Sequence, residues 1–288
     1  MKRSALWVAA VVAGFAAVSS LATDSVSSAS LVEQADVLFD RSAATFDFDA
    51  YEGRLREAIH LYEEALPWVD SADVALQTHV LNRLAQAYFE LATAYLATDA
   101  EKEAAFAAGK DHALASLRLD PAFRDAETTS FRDALALATD VVAVFWYGND
   151  FGSYLNYHQL EAIFGGGARD VPVCYERAVA LDETYLGGAP LRSLACYVAR
   201  VPAFLGGDMA RARTLFERAI TIAPNYFENQ VNLAELVLKP SGETAEACAL
   251  LRDVIARSAN PATMALWPLY NELSAHQAQK LLATFSCP

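Results

Sequence analysis

The sequence is poor in positive charge. Its 288 residues contain 22 Lys and Arg against 36 Asp and Glu, which gives a formal net charge of -14 at pH 7. Two of the cations, Lys2 and Arg3, lie in a segment that we expect to be removed, so the remaining chain is more acidic still. Such a surface is repelled by nucleic acid and by anionic lipid. The charge balance therefore disfavours both as partners.

Cysteine is also scarce. The chain has four, Cys174, Cys196, Cys248 and Cys287, and no two are spaced as C-x-x-C, which argues against zinc and thioredoxin-like chemistry. In an oxidising compartment two disulfides could form, Cys174 with Cys196 across two neighbouring helices and Cys248 with Cys287 near the C-terminus. The alternative is four buried free thiols.

Motifs for catalysis, metals and cofactors are missing. The five histidines are scattered without H-E-x-x-H spacing, and no G-x-S-x-G elbow is present. The stretch "FGGGARD" lacks the Lys-Ser/Thr pair of a phosphate-binding loop. We therefore predict no catalytic residues, no metal site, no cofactor and no enzymatic activity. An envelope hydrolase would need a site assembled from residues distant in sequence.

The N-terminus has the pattern of an export signal. Lys2 and Arg3 precede an apolar run at 5–18 and the small residues around Ala22. The run is shorter than the roughly 20 residues that span a bilayer, which argues against an uncleaved anchor. We predict a signal peptide at 1–22, a flexible tether at 23–29 and one domain at 30–286. No cysteine follows the run to carry a lipid, so we expect a periplasmic protein that is free after cleavage.

Two eleven-residue stretches are nearly the same. "YERAVALDETY" at 175–185 and "FERAITIAPNY" at 216–226 share four identities, and related stretches stand at 62–70, 113–121 and 251–259. The last begins 35 residues after Phe216, close to the 34-residue period of tetratricopeptide repeats. Each copy has a helical period, and strand alternation is missing. The pattern predicts an all-α, tetratricopeptide-like array of helical hairpins (an α-solenoid).

We expect helices near 30–41, 50–66, 74–97, 101–118, 128–147, 151–163, 172–182, 190–204, 209–222, 226–238, 243–257 and 271–285, with a linker at 165–172.

Two further stretches differ from plain repeats. An aromatic-rich helical insert lies at 143–157, and the helix expected at 190–204 places Arg192 and Arg200 near one face. One interpretation is a core of aromatic rings with arginine stems packed along it. The other is an aromatic-lined cavity in which an arginine holds a carboxylate. The candidate cavity residues are Trp146, Asn149, Tyr154, Tyr197 and Arg200.

These stretches also carry a resemblance to a known family. "VFWYGNDFGSY" at 144–154, the turn "PAFLGGD" with the following "FERAITIAPNY", and "ALLRDVIA" at 249–256 resemble the T-component (TatT) family of TRAP transporters, over about 130–257. The resemblance implies a non-catalytic periplasmic accessory protein. It also implies a periplasmic solute-binding protein of a TRAP transporter as partner, and a cavity for a small organic acid or hydrophobic ligand.

Two points stay open beside this resemblance. Many members of the family are lipoproteins, and this chain lacks the lipid-bearing cysteine. The other function class is a general repeat scaffold in envelope assembly, because such arrays commonly bind protein segments. A homo-oligomer is compatible with both.

Overall fold

The computed structural model describes residues 27–42 and 46–287, and the regular structure of that part is entirely helical. The predicted all-α class is confirmed. The signal peptide and residues 23–26 of the predicted tether lie outside the described residues. The helices are α1 (Ser28–Phe39), α2 (Phe48–Ala65), α3 (Val74–Ala94), α4 (Asp99–Leu117), α5 (Pro121–Glu127), α6 (Phe131–Leu137), α7 (Val141–Tyr154), α8 (Gln159–Phe164), α9 (Gly167–Asp182), α10 (Tyr185–Arg200), α11 (Met209–Ile222), α12 (Phe227–Leu233), α13 (Thr244–Ser258), α14 (Pro261–Met264) and α15 (Pro268–Thr284).

The repeat copies have a common place in the fold. Each of the five begins in the C-terminal part of a helix, in α2, α4, α9, α11 and α13. Their first and fourth residues are buried in all cases, since positions three apart share one helix face. These pairs are Tyr62 and Ala65, Ala113 and Ser116, Tyr175 and Ala178, Phe216 and Ala219, and Leu251 and Val254. The repeated residues thus include the positions that face the core on one helix of each hairpin.

The helices between the repeat copies form an inner layer. Helices α3, α7, α10, α12 and α15 each follow a repeat-bearing helix along the chain, and each packs against at least one of them. This alternation is compatible with the predicted solenoid. Among the described residues, no helix combines the length and the apolar character needed to cross a membrane.

Several predicted boundaries were wrong. The single helix predicted at 128–147 is divided between α6 and α7, because the side chains of Ser130 and Asp140 each accept a hydrogen bond from a new helix N-terminus. Helix α5, capped by Asp120, lies where no helix was predicted. The predicted linker at 165–172 is mostly helical, since α9 begins at Gly167 after a left-handed Gly166. Helix α1 begins at Ser28, inside the predicted tether.

The start of α10 has an unusual backbone. Leu186, Gly187 and Gly188 all have positive φ values, of 45°, 64° and 81°. Left-handed backbone is costly for a residue with a Cβ, so Leu186 is held there by its surroundings. Asn229 provides part of this support, because its Nδ2 donates to the Gly187 carbonyl at 3.1 Å. The turn positions Leu186 beside the cavity described below.

The array closes on itself. Leu269 at the start of α15 belongs to the same apolar cluster as α1, α2 and α3, although these helices lie about 200 residues earlier. The ring of His276 on α15 lies 6.1 Å from that of Phe48 at the start of α2. The Tyr270 hydroxyl donates to Glu90 on α3 at 2.6 Å. The last helix therefore contacts the first ones and completes the inner layer.

The cysteines divide into one bonded pair and two thiols. Cys248 and Cys287 form a disulfide with a Cα–Cα distance of 5.8 Å, as the sequence suggested. The predicted alternative of a Cys174–Cys196 pair is wrong, since both are free. Cys174 packs toward α7, where a Cβ at Gly148 would lie 2.9 Å from its own Cβ. Cys196 instead accepts a bond from Asn232 on α12, so the two thiols have different neighbours.

A carboxylic acid is buried where α4 crosses α7. Asp150 is 0% exposed, and neither carboxyl oxygen has a hydrogen-bond partner among the described residues. The helices approach closely because residue 109 is a glycine, whose added Cβ would lie 2.6 Å from the Asp150 carboxyl. Burial raises the pKa of this carboxyl well above its usual value.

Replacing Asp150 with asparagine is expected to reduce the loss of stability at high pH. Below about pH 4 the carboxyl is protonated in both the folded and the unfolded chain. Above it, the unfolded chain releases a proton that the folded chain keeps, so the wild type loses up to about 1.4 kcal/mol per pH unit until the folded pKa is reached. Urea unfolding between about pH 4.5 and 7.5 should therefore show that the free energy of unfolding of Asp150→Asn rises relative to that of the wild type as the pH increases. The control is Asp111→Asn, at an exposed acid on the neighbouring helix α4, and equal pH slopes for the two variants would contradict the assignment.

Candidate functional site

The inner helices enclose a cavity of about 600 Å³. Its walls come from α3, α7, α10, α12 and α15, with the start of α2 at one end. Each wall helix contributes residues three or four positions apart, as a single helix face must. The wall residues used below are Phe48, Phe89, Glu90, Trp146, Asn149, Leu186, Arg192, Ser193, Arg200, Glu228, Glu235, Leu269, Tyr270, His276, Gln277 and Lys280.

One part of the wall is a buried carboxylate with four donors. Glu90 is 1% exposed and forms an ion pair with Arg41. Its oxygens also accept bonds from Tyr51 at 3.1 Å, Gln86 at 2.8 Å and Tyr270 at 2.6 Å. Burial lowers the pKa of Arg41, but Glu90 outweighs this and the pKa is raised. This acid is neutralised and saturated, so it contributes structure to the wall rather than a free charge.

A second ion pair lies on α10 and α12. The Arg192 side chain is 6% exposed, and its Nη2 lies 3.2 Å from Glu228 Oε2. Its Nη1 donates to Asn229 at 3.0 Å, and its guanidinium stacks over Tyr226 at 4.6 Å. These contacts fix the guanidinium in place, and the charge is again compensated.

Two cations of the wall have no such compensation. Arg200 and Lys280 are exposed, and neither forms an ion pair with any described residue. The carboxylate of Glu235 also lines this region, where Gln277 donates to it at 3.4 Å. The charges within the Arg41–Glu90 and Arg192–Glu228 pairs cancel, so the rest of the wall carries two unpaired cations, Arg200 and Lys280, and one acid, Glu235. This local excess of positive charge stands out in a chain whose formal charge is -14.

Three of the five predicted cavity residues lie at the wall. Trp146 is also almost fully buried, and its Nε1 donates to Tyr185 at 3.0 Å. Asn149 connects α7 to α10, since it accepts a bond from Ser193 at 3.0 Å. Arg200 is the exposed cation described above. Trp146 therefore belongs both to the core and to the cavity wall.

The other two predicted residues lie elsewhere. The ring of Tyr154 stacks on His158 at 4.0 Å, with the ammonium of Lys110 4.7 Å from its centroid. The hydroxyl of Tyr197 donates to the carbonyl of Ala168 and so connects α10 to α9. Neither belongs to the cavity wall.

Sequence reasoning missed the walls contributed by α3 and α15. Phe89, Glu90, Tyr270 and Lys280 lie outside the aromatic insert and outside the resembling segment at 130–257. Glu90 carried a weak signal, because a carboxylate inside an otherwise apolar helix face is seldom tolerated without partners.

A family model described as the TRAP transporter T-component matches residues 76–286. The chain belongs to this family. The match begins in α3 and ends after α15, so it covers all five wall helices, whereas α1 and α2 precede it. The T-component family consists of transport accessory proteins and is not a known enzyme family. No curated protein matches the chain.

Proposed function

We propose that this T-component is a periplasmic accessory of a TRAP-type transport system that holds a small organic anion in its cavity. The observation that carries the proposal is the pair of uncompensated cations, Arg200 and Lys280, in the cavity wall. A carboxylate attracts a guanidinium or an ammonium, and guanidinium can bind both oxygens at once.

The interior of the cavity suits the rest of such a ligand. Apolar contact is available from Phe89, Trp146 and Leu269, and hydrogen bonds from Asn149 and Ser193. A volume of about 600 Å³ lies within the range of small-molecule sites. The ligand that fits best is therefore a small organic acid with an apolar part.

The partner that we propose is a periplasmic solute-binding protein of the TRAP system, and membership of the T-component family supports it. In this proposal the solute-binding protein delivers the ligand to the cavity or receives it from the cavity. The exchange makes and breaks no covalent bond. We also propose a location in the periplasm, which the family supports, after removal of the predicted signal peptide.

The partner is tested by affinity capture of the tagged protein from its own periplasm, with mass spectrometry of the bound proteins. Recovery of a TRAP-type solute-binding protein, confirmed by mixing the two purified proteins, is the expected result. Recovery of envelope assembly factors without a solute-binding protein would contradict the proposal and favour the scaffold function.

A further inference from the structure

The first hairpin carries a second groove on its outer face. Helices α1 and α2 precede the segment that matches the family, and α1 packs mainly on α2. A groove of about 510 Å³ runs between them. Its lining residues are Ser30, Glu33, Gln34, Val37, Leu38, Glu57 and Leu61.

The lining residues form a continuous stripe with an apolar floor. On α1 they recur every three or four positions from 30 to 38, so the groove extends roughly 10 Å along that helix. Leu38 and Leu61 are partly buried against the core of the hairpin. Val37 is 72% exposed, so the floor offers apolar surface that the described chain leaves uncovered.

The charge of the groove has one sign. Its two ionisable residues, Glu33 and Glu57, are both exposed, and neither forms an ion pair with a described residue. Between residues 27 and 73 there are eleven Asp and Glu but only three cations, all arginines. All three are engaged elsewhere: Arg41 with Glu90, Arg54 over the ring of Tyr51, and Arg56 with Glu52.

We propose that this groove binds a basic amphipathic helix of a partner protein. Such a helix lays its apolar side chains, one turn apart, into a hydrophobic groove of this length. Its flanking lysines or arginines would meet Glu33 and Glu57, which lie on opposite helices of the groove. A second copy of this chain fits poorly, because two strongly acidic hairpins repel each other.

The test uses a defined probe and the full chain. A fluorescein-labelled 14-residue peptide of leucine and lysine, with leucines at i, i+3, i+4 and i+7, is titrated and followed by fluorescence anisotropy. The variant Glu33→Lys/Glu57→Lys is compared with Asp125→Lys/Glu161→Lys, which makes the same change in net charge at exposed acids on α5 and α8. Val37→Ser is compared with Leu137→Ser, another exposed apolar residue.

The expected result is a loss of binding confined to the groove. Losing two ion pairs should weaken binding roughly tenfold or more, and the control reversal less than about threefold. Val37→Ser should weaken binding several-fold, and Leu137→Ser should not. Equal weakening by the two charge reversals would show diffuse attraction and overturn the proposal. So would unchanged binding in Val37→Ser, or self-association of the chain that depends on Val37.

Discussion

Replacing Glu90 with alanine is expected to lower the free energy of unfolding by about 3 to 5 kcal/mol. The reason is that the Arg41 charge and the donors of Tyr51, Gln86 and Tyr270 would lose their shared acceptor in a buried place. Because Tyr270 lies on α15 and Glu90 on α3, the loss also weakens the contact that closes the array. Chemical denaturation measures the change.

A matched control separates this network from an ordinary surface pair. Glu52→Ala breaks an exposed i, i+4 pair with Arg56 and should cost at most about 0.5 kcal/mol. In Glu90→Leu, the further change Arg41→Met should restore part of the stability, since it removes the uncompensated buried charge. If Glu90→Ala costs no more than Glu52→Ala, the network does not close the array.

Removing the Cys248–Cys287 disulfide is expected to cost about 4 kcal/mol. The bond closes a loop with a sequence separation of 39, and the chain-entropy estimate for a loop of that size gives this figure. The double variant Cys248→Ser/Cys287→Ser should therefore unfold at markedly lower urea concentration. The effect should be greatest on α15, because the bond ties the segment that follows this helix to α13.

The thiol count provides an independent check on the same assignment. The unfolded, unreduced protein should contain two free thiols, from Cys174 and Cys196, and four after reduction. Burial raises the pKa of Cys196 to about 11, so the folded protein should react slowly with thiol reagents. Four free thiols before reduction would contradict the bond.

The helices were predictable where the repeated letters were strong. The helix expected at 209–222 matches α11 at both ends, because Asp208 caps it and an apolar stripe continues to Ile222. The prediction of one helix at 128–147 was wrong, since Ser130 and Asp140 look like ordinary polar residues until their side chains are seen to cap α6 and α7.

Only the part of the cavity wall that α7 and α10 contribute was predictable from the sequence. Trp146, Asn149 and Arg200 lie in stretches whose composition is unusual, so the sequence drew attention to them. The opposite wall needs Glu90 to meet Tyr270, 180 residues later, and this pairing depends on how far the array curves. Tyr197 shares the helical period of Ser193 and Arg200, yet its hydroxyl reaches Ala168, which no pattern in the sequence indicates.

The role of the cavity is tested most directly by native mass spectrometry of the protein purified from its own periplasm. The wild type should carry one small organic anion per chain, which Arg200→Ala/Lys280→Ala should lose. The control Arg56→Ala/Arg124→Ala removes two cations outside the cavity wall and should keep the ligand. A wild type that never carries a small molecule, together with uptake that is unchanged in Arg200→Ala/Lys280→Ala, would contradict a ligand-holding role in transport.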